Sequence, residues 1–352
     1  MRAIGLMSGT SLDGVDVAWL ETDGVAIQRT GLAATLHYEP ALRADLRRLL
    51  DVAPMIDNND GFLRDVERRL TEEHAIAVAM VGRGADVIGF HGQTILHDPV
   101  RRRTWQIGDA AGLARLTRTK VVYDFRSADV AAGGQGAPLV PLFHAAMAAS
   151  LPKPLLIVNI GGVANITWLG ADGAILACDT GPGNGPLDDW ALRHTGAAFD
   201  KNGALAASGH VQHDRLAQLL SHPYFALPAP KSLDRLTFST LVAQATEGLN
   251  PGDGAATLAA FTVAAIAGTA LPERPRQVLV CGGGRKNPVI MAGLTAAFEA
   301  PVAAVEAVGW DGDALEAQCF GFLAVRSLRG LPLSLPSTTG VAAPMHGGKV
   351  TG

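Results

Sequence analysis

One short pattern occurs twice in this chain and narrows what it can fold into. In the first copy the apolar run AIGLMSG meets a glycine turn, SGTSLDG, returns as VDVAWLE, turns at Asp23-Gly24 and runs out as VAIQRTG. In the second, LLIVNIGG turns through NIGGVAN, returns as ITWLG, turns at Asp172-Gly173 and continues as AILACDTG. Trp19-Leu20 precedes the first Asp-Gly at the same spacing as Trp168-Leu169 precedes the second. Asp-Gly between apolar runs is a strong hairpin signal, because both residues tolerate the positive φ of a tight hairpin turn. Two such three-strand units predict two sheets related by duplication.

DVIGFHG and QVLVCGGG add further short apolar runs bounded by glycine, as strands should be. PALRADLRRLLDV and DGFLRDVERRLTEEHAIAVAMVG carry the wider apolar spacing of amphipathic helices, so the class is α/β. At 352 residues the chain exceeds what one core usually organises, and two domains are expected. Residues 1–130 with 330–352 are predicted to form one, and 131–329 the other.

A hydrophobic content of 48% excludes a disordered chain, and a net charge of −4 offers no basic surface for nucleic acid. Cys178, Cys281 and Cys319 have no metal-type spacing and read as small buried residues in a reducing cytoplasm. No secretory signal is visible at the start, where the apolar run passes straight into a polar glycine loop. GAATLAAFTVAAIAGTAL lacks charge but is mostly Ala, Thr and Gly; it is read as a buried helix, and no membrane partner is expected.

Three glycine segments are candidates for holding an anionic or flat ligand. Gly9-Thr10-Ser11-Leu12-Asp13-Gly14 lies between two strands, where small residues let backbone N–H groups and two hydroxyls approach a phosphate. It is not a Walker loop, since no GK[ST] follows. Its counterpart in the second copy contributes Gly161 and Gly162. Asp179-Thr180-Gly181-Pro182-Gly183-Asn184 closes a strand with an aspartate, which suits either Mg²⁺-phosphate or activation of a nucleophile. Gly282, Gly283 and Gly284 end the strand VLVC and allow close approach of a flat or anionic ligand, adenine and ribose being the candidate, with a flexible connector as the alternative. His91-Gly92-Gln93-Thr94 and Arg126 suit hydrogen bonding to a polyol and a carboxylate. His91 and His97 lack a partner at metal-ligand spacing.

Taken together and in order, LMSGTSLDGVD, HGQTILH, QIGD, DFRSADVAAGGQGAPLVP, NIGGVANIT, DTGPGN and CGGGRKNP resemble the anhydro-N-acetylmuramic acid kinase family, and the likeness continues through ALEAQCFGFLAVR and PSTTGV. The resemblance implies the hexokinase, actin and heat-shock ATPase fold: two duplicated ribonuclease-H-like domains closing over ATP in a central cleft. It implies that Gly9 to Asp16, with Val15, binds ATP phosphates, that Gly181, Gly183 and Asn184 approach them, and that Gly282–Gly284 border adenosine. GGQGAPLVPLFHAAM would begin the crossing between domains and LEAQCFGFLAVRSL would return. Asp179 matches the family's catalytic aspartate and is assigned as general base. His91, Gly92, Gln93, Thr94, Arg126 and Glu316 would line the sugar side; the pairing of Arg126 with the lactyl carboxylate is a hypothesis from its charge, not from the motif.

The implied reaction opens the 1,6-anhydro bridge with water and phosphorylates the released oxygen, using ATP and Mg²⁺; the metal ligands are left unassigned, with Asp13 a candidate through water. A small-molecule sugar and a homodimer are the implied partners. Two departures from the family pattern stand out: Gly185-Pro186, where bulkier apolar residues are common, and KSLDRLTFSTLV in place of a PKSTGRE-type run in the expected substrate-capping segment Lys231 to Leu241. A conventional hexose or amino-sugar kinase of the same superfamily and a non-catalytic sugar or nucleotide sensor are the competing readings.

Overall fold

The computed structural model describes residues 1–9, 12–82, 84–234 and 237–351. The chain divides into two compact units, 1–149 with 314–352, and 150–313.

In the first unit, β1 (Arg2–Ser8), β2 (Gly14–Thr22) and β3 (Ile27–His37) form an antiparallel meander. On the other side of β1 lies β4 (Val87–Asp98), parallel to it. β5 (Arg103–Ile107) folds back antiparallel on the end of β4, and β6 (Val121–Tyr123) extends the sheet in parallel. In the second unit, β7 (Leu155–Ile160), β8 (Val163–Leu169) and β9 (Ile175–Pro182) repeat the meander. β10 (Gln277–Cys281) and β11 (Val302–Ala304) add in parallel beyond β7.

The orders β3-β2-β1-β4-β6 and β9-β8-β7-β10-β11 coincide strand for strand and direction for direction. This is the duplication read from the repeated hairpins. Gly24 and Gly173, at φ +84° and +87°, turn the two Asp-Gly hairpins in the same left-handed conformation. At the edge of the first sheet, β12 (Lys349–Thr351) pairs antiparallel with β6.

The expected helices form. Pro40–Val52 and Gly61–Met80 turn Leu42, Leu46, Leu49, Leu63, Val66 and Leu70 onto Ile4, Leu6, Val15 and Val17 of the first sheet. Burying each such aliphatic side chain contributes about 1.5–3 kcal/mol. The Asp60 carboxylate starts the second of these helices by accepting from Phe62 N and Leu63 N. In the second unit the chargeless stretch forms the buried helix Pro251–Ala267, packed beneath β8 and β9. Among the described residues no helix is long and apolar enough to cross a membrane.

Both crossings differ from the predicted domain bounds. Residues 131–149 and 314–329 group with the first unit. The cause is a backbone-to-backbone contact: helix Leu315–Leu328 lies directly on β1 and β4 at three glycines. A Cβ added to Gly5 would come 1.7 Å from Ala317 O, and one added to Gly89 would come 1.9 Å from Phe320 O. Gly321 meets Gly5 N from the helix side. Phe322 of the same helix packs on Phe143, which brings helix Pro141–Met147 along.

Candidate active site

In the second unit, Asp179 ends the apolar run of β9 and is buried. Three separate groups fix it. Its amide donates to Lys231 O at 2.9 Å, the Tyr224 hydroxyl donates to its carbonyl at 2.7 Å, and Leu233 N donates to its Oδ2 at 2.8 Å. Tyr224 is itself seated in an aromatic cluster with Phe225, Phe238 and Phe261. Burial, with the neighbouring Asp179 and Cys178, pushes its hydroxyl well above the usual tyrosine range, so it remains a donor. The Lys231 ammonium lies over the Tyr224 ring at 4.4 Å and donates to Tyr224 O at 3.0 Å; burial lowers its pKa. Burial also pushes the adjacent Cys178 thiol up to about 12, which leaves it unreactive.

Across the strand pair, Asn165 stands directly opposite Asp179. Paired residues of antiparallel strands put their side chains on one face, so the amide and the carboxylate share it. The Asn165 Oδ1 is buried and has no hydrogen-bond partner among the described residues. An orphaned acceptor of this kind costs about 1–3 kcal/mol, and beside a carboxylate it suits a bound hydroxyl or water.

The three glycine segments of this unit meet at the ends of β7, β9 and β10. Asn184 N donates to Gly161 O at 2.7 Å, and Gly183 N to Gly162 O at 3.0 Å. The Asn184 amide donates to Ile160 O at 3.1 Å. Glycine is required here largely by the loops' contact with one another. An added Cβ would lie 2.2 Å from Gly161 O at Gly183, 2.4 Å from Asn159 Oδ1 at Gly282 and 2.4 Å from Ile160 Cγ2 at Gly284. At Gly161 and Gly283 it would make only ordinary contacts among the described residues, at 3.6 Å to Val163 O and 3.4 Å to the Asn184 side-chain amide, so the neighbouring loops do not themselves require glycine there. Gly181 instead abuts Ala265 and Phe225. Behind the loops, the Arg285 side chain is almost wholly buried and bonds Gly282 O, Glu306 and Asp313.

In the first unit the HGQT segment lies within β4. His91 is buried; its Nδ1 bonds Gly92 O at 2.7 Å and its Nε2 accepts from Arg126 Nε at 3.0 Å. Burial, then the Arg126 charge, holds its pKa well below the usual histidine range, so the ring is neutral with its proton on Nδ1. Arg126 also donates to Gly136 O at 2.7 Å, and the His91 ring stacks on Phe320 at 4.5 Å. The guanidinium is thereby aimed by a histidine, a carbonyl and an aromatic ring.

Beside these residues opens a pocket of about 170 Å³ whose walls include His91, Gly92, Trp105, Gln106, Tyr123 and Asp124. Gln106 donates to Thr94 Oγ1 at 3.1 Å. Glu316 is exposed in the first turn of helix Leu315–Leu328, about one turn before Phe320.

Of the expected phosphate loop, Thr10 and Ser11 lie outside the described residues. Leu12 is buried in the left-handed region at φ +57° and donates from its amide to Gly9 O at 3.2 Å. Gly14 is needed because an added Cβ would sit 2.2 Å from Leu36 O. Asp13, about half exposed, pairs with Arg43 at 2.8 Å, while Asp16 accepts from Thr35 Oγ1 at 2.6 Å and Val15 is buried.

The family model for anhydro-N-acetylmuramic acid kinase matches residues 1–351. The chain belongs to the anhydro-N-acetylmuramic acid kinase family. A member so named from Acidiphilium cryptum (strain JF-5) is 69% identical over 350 residues, 99% of this chain and 98% of that protein. Another, from Gluconobacter oxydans (strain 621H), is 55% identical over 357 residues, 99% of each. Among solved structures, a ROK family glucokinase from Streptomyces griseus in complex with glucose and AMPPNP has a TM-score of 0.44 and 14% identity, over 92% of this chain and 99% of that one.

Within this family member, two groups of the residues singled out from sequence come together. Gly161, Gly162, Gly183, Asn184 and Gly282–Gly284 come together on the second unit, whose Asp179 is held beside Asn165. His91, Gly92 and Arg126 come together on the first. Gln93 does not join them at the pocket: it is fully buried and turned towards Gly9.

Sequence reasoning missed the residues that hold these groups. Tyr224, Lys231 and Leu233 clamp Asp179; the odd KSLDRL run was a trace of the last two, and nothing in the motifs pointed to Tyr224. Asp129, buried, accepts from Gly136 N at 2.7 Å and Thr339 Oγ1 at 2.6 Å, and it also bonds the Ser334 hydroxyl. This ties the GGQG turn to the PSTTG segment. An aspartate inside a recognised motif was the available signal.

Proposed function

We propose that this chain is a cytoplasmic ATP-dependent kinase that opens the 1,6-anhydro bridge of anhydro-N-acetylmuramic acid with water. It phosphorylates the freed O6, giving N-acetylmuramic acid 6-phosphate for peptidoglycan recycling. Membership of the family over residues 1–351 supports the substrate. The observation that carries the chemistry is the buried Asp179, held through its amide, its carbonyl and one carboxylate oxygen, with the orphaned Asn165 Oδ1 opposite it.

In this reading Asp179 takes one proton of a water as its oxygen adds to C1 and the C1–O6 bond breaks, as in the water-activating half of an inverting glycosidase. Asn165 accepts the water's second proton as a hydrogen bond and so sets the direction of attack. O6 keeps the electron pair of the broken bond and bonds to the γ-phosphorus of ATP as the bond to the β,γ-bridging oxygen breaks and ADP leaves. Arg126, aimed by His91 and Gly136, binds the lactyl carboxylate, and Thr94, Gly92 and Glu316 complete the sugar side.

The nucleotide-side residues are Gly9 to Asp16 on the first unit and Gly161, Gly162, Gly181, Gly183, Asn184 and Gly282–Gly284 on the second. Glycine at Gly161 and Gly283, which their protein neighbours do not require, suits close approach of a ligand to the backbone. Mg²⁺ travelling with ATP would neutralise the charge on the transferring phosphoryl group. Asp13, a half-exposed carboxylate, suits a water-mediated contact to a metal carried by phosphates. A homodimer is assigned by resemblance alone.

The test is Asp179→Asn, which keeps the shape and the Leu233 contact but removes the base. Turnover of anhydro-N-acetylmuramic acid should fall at least 1,000-fold, on the order expected for loss of a general base, while ATP affinity by calorimetry stays within about threefold. Retained turnover would sink the assignment.

A further inference from the structure

Gln93 lies in the segment expected to face the sugar, yet the fold gives its amide another task. The side chain is fully buried. Its Nε2 donates to Gly9 O at 3.2 Å and to Thr94 O at 3.2 Å, while its Oε1 accepts from Ser8 Oγ at 2.7 Å. Carbonyl oxygens only accept, so the NH₂ end must face Gly9 and the oxygen must face Ser8. Ser8 has one proton and gives it to Gln93, so the Tyr38 hydroxyl, also in contact with Ser8 Oγ, must be the donor in that pair. Burial, partly offset by Ser8, keeps Tyr38 protonated by raising its pKa beyond the ordinary tyrosine value.

The bonds therefore run one way, Tyr38 to Ser8 to Gln93 to Gly9. The Gly9 carbonyl also accepts from the amide of Leu12, itself in the left-handed conformation. With two donors converging on it, that carbonyl is fixed in direction at the point where β1 enters the phosphate loop. Among the described residues nothing comparable ties Gln93 to the pocket beside His91 and Gly92.

We propose that Gln93 is a positioning residue for the phosphate loop rather than a ligand of the sugar, and that the HGQT segment acts from the neighbouring strand by fixing the Gly9 carbonyl where β1 enters that loop. This rests on the reading above that Gly9 to Asp16 binds the nucleotide. Removing the amide releases the Gly9 carbonyl and leaves the Ser8 hydroxyl only its longer contact to Gly14 O at 3.5 Å, a perturbation felt on the nucleotide side. Tyr38→Phe perturbs the same chain from its far end by one hydroxyl.

The experiment measures ATP affinity without sugar, anhydro-N-acetylmuramic acid affinity without nucleotide, and the Michaelis constants for both, in wild type, Gln93→Ala, Gln93→Glu and Tyr38→Phe. Gln93→Ala and Gln93→Glu should weaken ATP about tenfold or more, with Glu the worse because it sets a carboxylate against the Gly9 carbonyl. Tyr38→Phe should weaken ATP by about two- to threefold, and sugar affinity should stay within twofold in all three. Weakened sugar binding with unchanged ATP binding in Gln93→Ala would overturn the proposal and restore Gln93 as a sugar ligand. Should Gln93→Ala fail to fold, Tyr38→Phe decides: unchanged ATP affinity there overturns it. Wild type that binds ATP but not this sugar would instead count against the substrate assignment, leaving the nucleotide effect readable.

Discussion

His74 offers a prediction whose size follows from its surroundings. It is fully buried on helix Gly61–Met80, donating from Nδ1 to Leu70 O at 2.7 Å and standing edge-on to Phe90 at 4.9 Å. Its Nε2 is buried without a hydrogen-bond partner among the described residues, so a second proton would have no acceptor. Burial lowers the pKa from 6.5 to about 4, against a smaller opposing effect of the Leu70 bond. The unfolded chain takes up this proton near pH 6.5, whereas the folded ring refuses it until about pH 4. Stability is therefore lost as pH falls through that window and regained as it rises. At roughly 1.4 kcal/mol for each pH unit between the two values, the ring alone destabilises the fold by about 2 kcal/mol between pH 7 and pH 5.

His91 and His144 are also buried and neutral, the latter with its pKa pushed by burial to about 3, so wild type will lose more than this. His74→Leu isolates the one ring. Urea unfolding followed by near-ultraviolet circular dichroism should show the variant losing about 2 kcal/mol less than wild type between pH 7 and pH 5. Parallel pH dependence in the two proteins would refute the reasoning.

Other expectations follow from the contacts above. Gly89→Ala drives a Cβ to 1.9 Å from Phe320 O, so helix Leu315–Leu328 must move; a loss of about 3 kcal/mol or more is expected by chemical denaturation, on the scale of severe overpacking. Tyr224→Phe removes only the donor to Asp179 O and should lower kcat by about tenfold, consistent with about 1–2 kcal/mol for one buried hydrogen bond, with KM for both substrates within twofold; a change confined to KM would argue against its role. Asn165→Ala should depress kcat by 10- to 100-fold, a positioning effect, without weakening ATP binding, as read by steady-state kinetics and calorimetry. All three cysteines are buried, so iodoacetamide should label the native protein far more slowly than the urea-unfolded chain, by mass spectrometry.

Much of the fold was legible because its signals are local. The paired Asp-Gly turns, the glycine-bounded strands and the two long amphipathic helices each state their conformation within a dozen residues, and the duplication followed from comparing them. The domain bounds were less legible. What draws helix Leu315–Leu328 to the first unit is the absence of side chains at Gly5, Gly89 and Gly321, and an absence leaves no periodicity to read. The same limit applies to Asp179. Its motif was visible, but its clamp comes from Tyr224, Lys231 and Leu233, distant in sequence and meeting it only through the fold. Gln93 shows the converse: a polar residue in a motif suggests a ligand contact, whereas burial turned it to the chain's own backbone.

The central claim is coupled bridge opening by water and phosphoryl transfer, and one measurement addresses it directly. Purified protein is incubated with ATP, Mg²⁺ and anhydro-N-acetylmuramic acid in ¹⁸O-labelled water and quenched early, before the anomeric oxygen exchanges with solvent. The product is then fragmented in the mass spectrometer. The account predicts N-acetylmuramic acid 6-phosphate with one label, on the C1 oxygen and absent from the phosphate ester. A phosphorylated product that still holds its anhydro bridge, or a label in the ester oxygen, would contradict it.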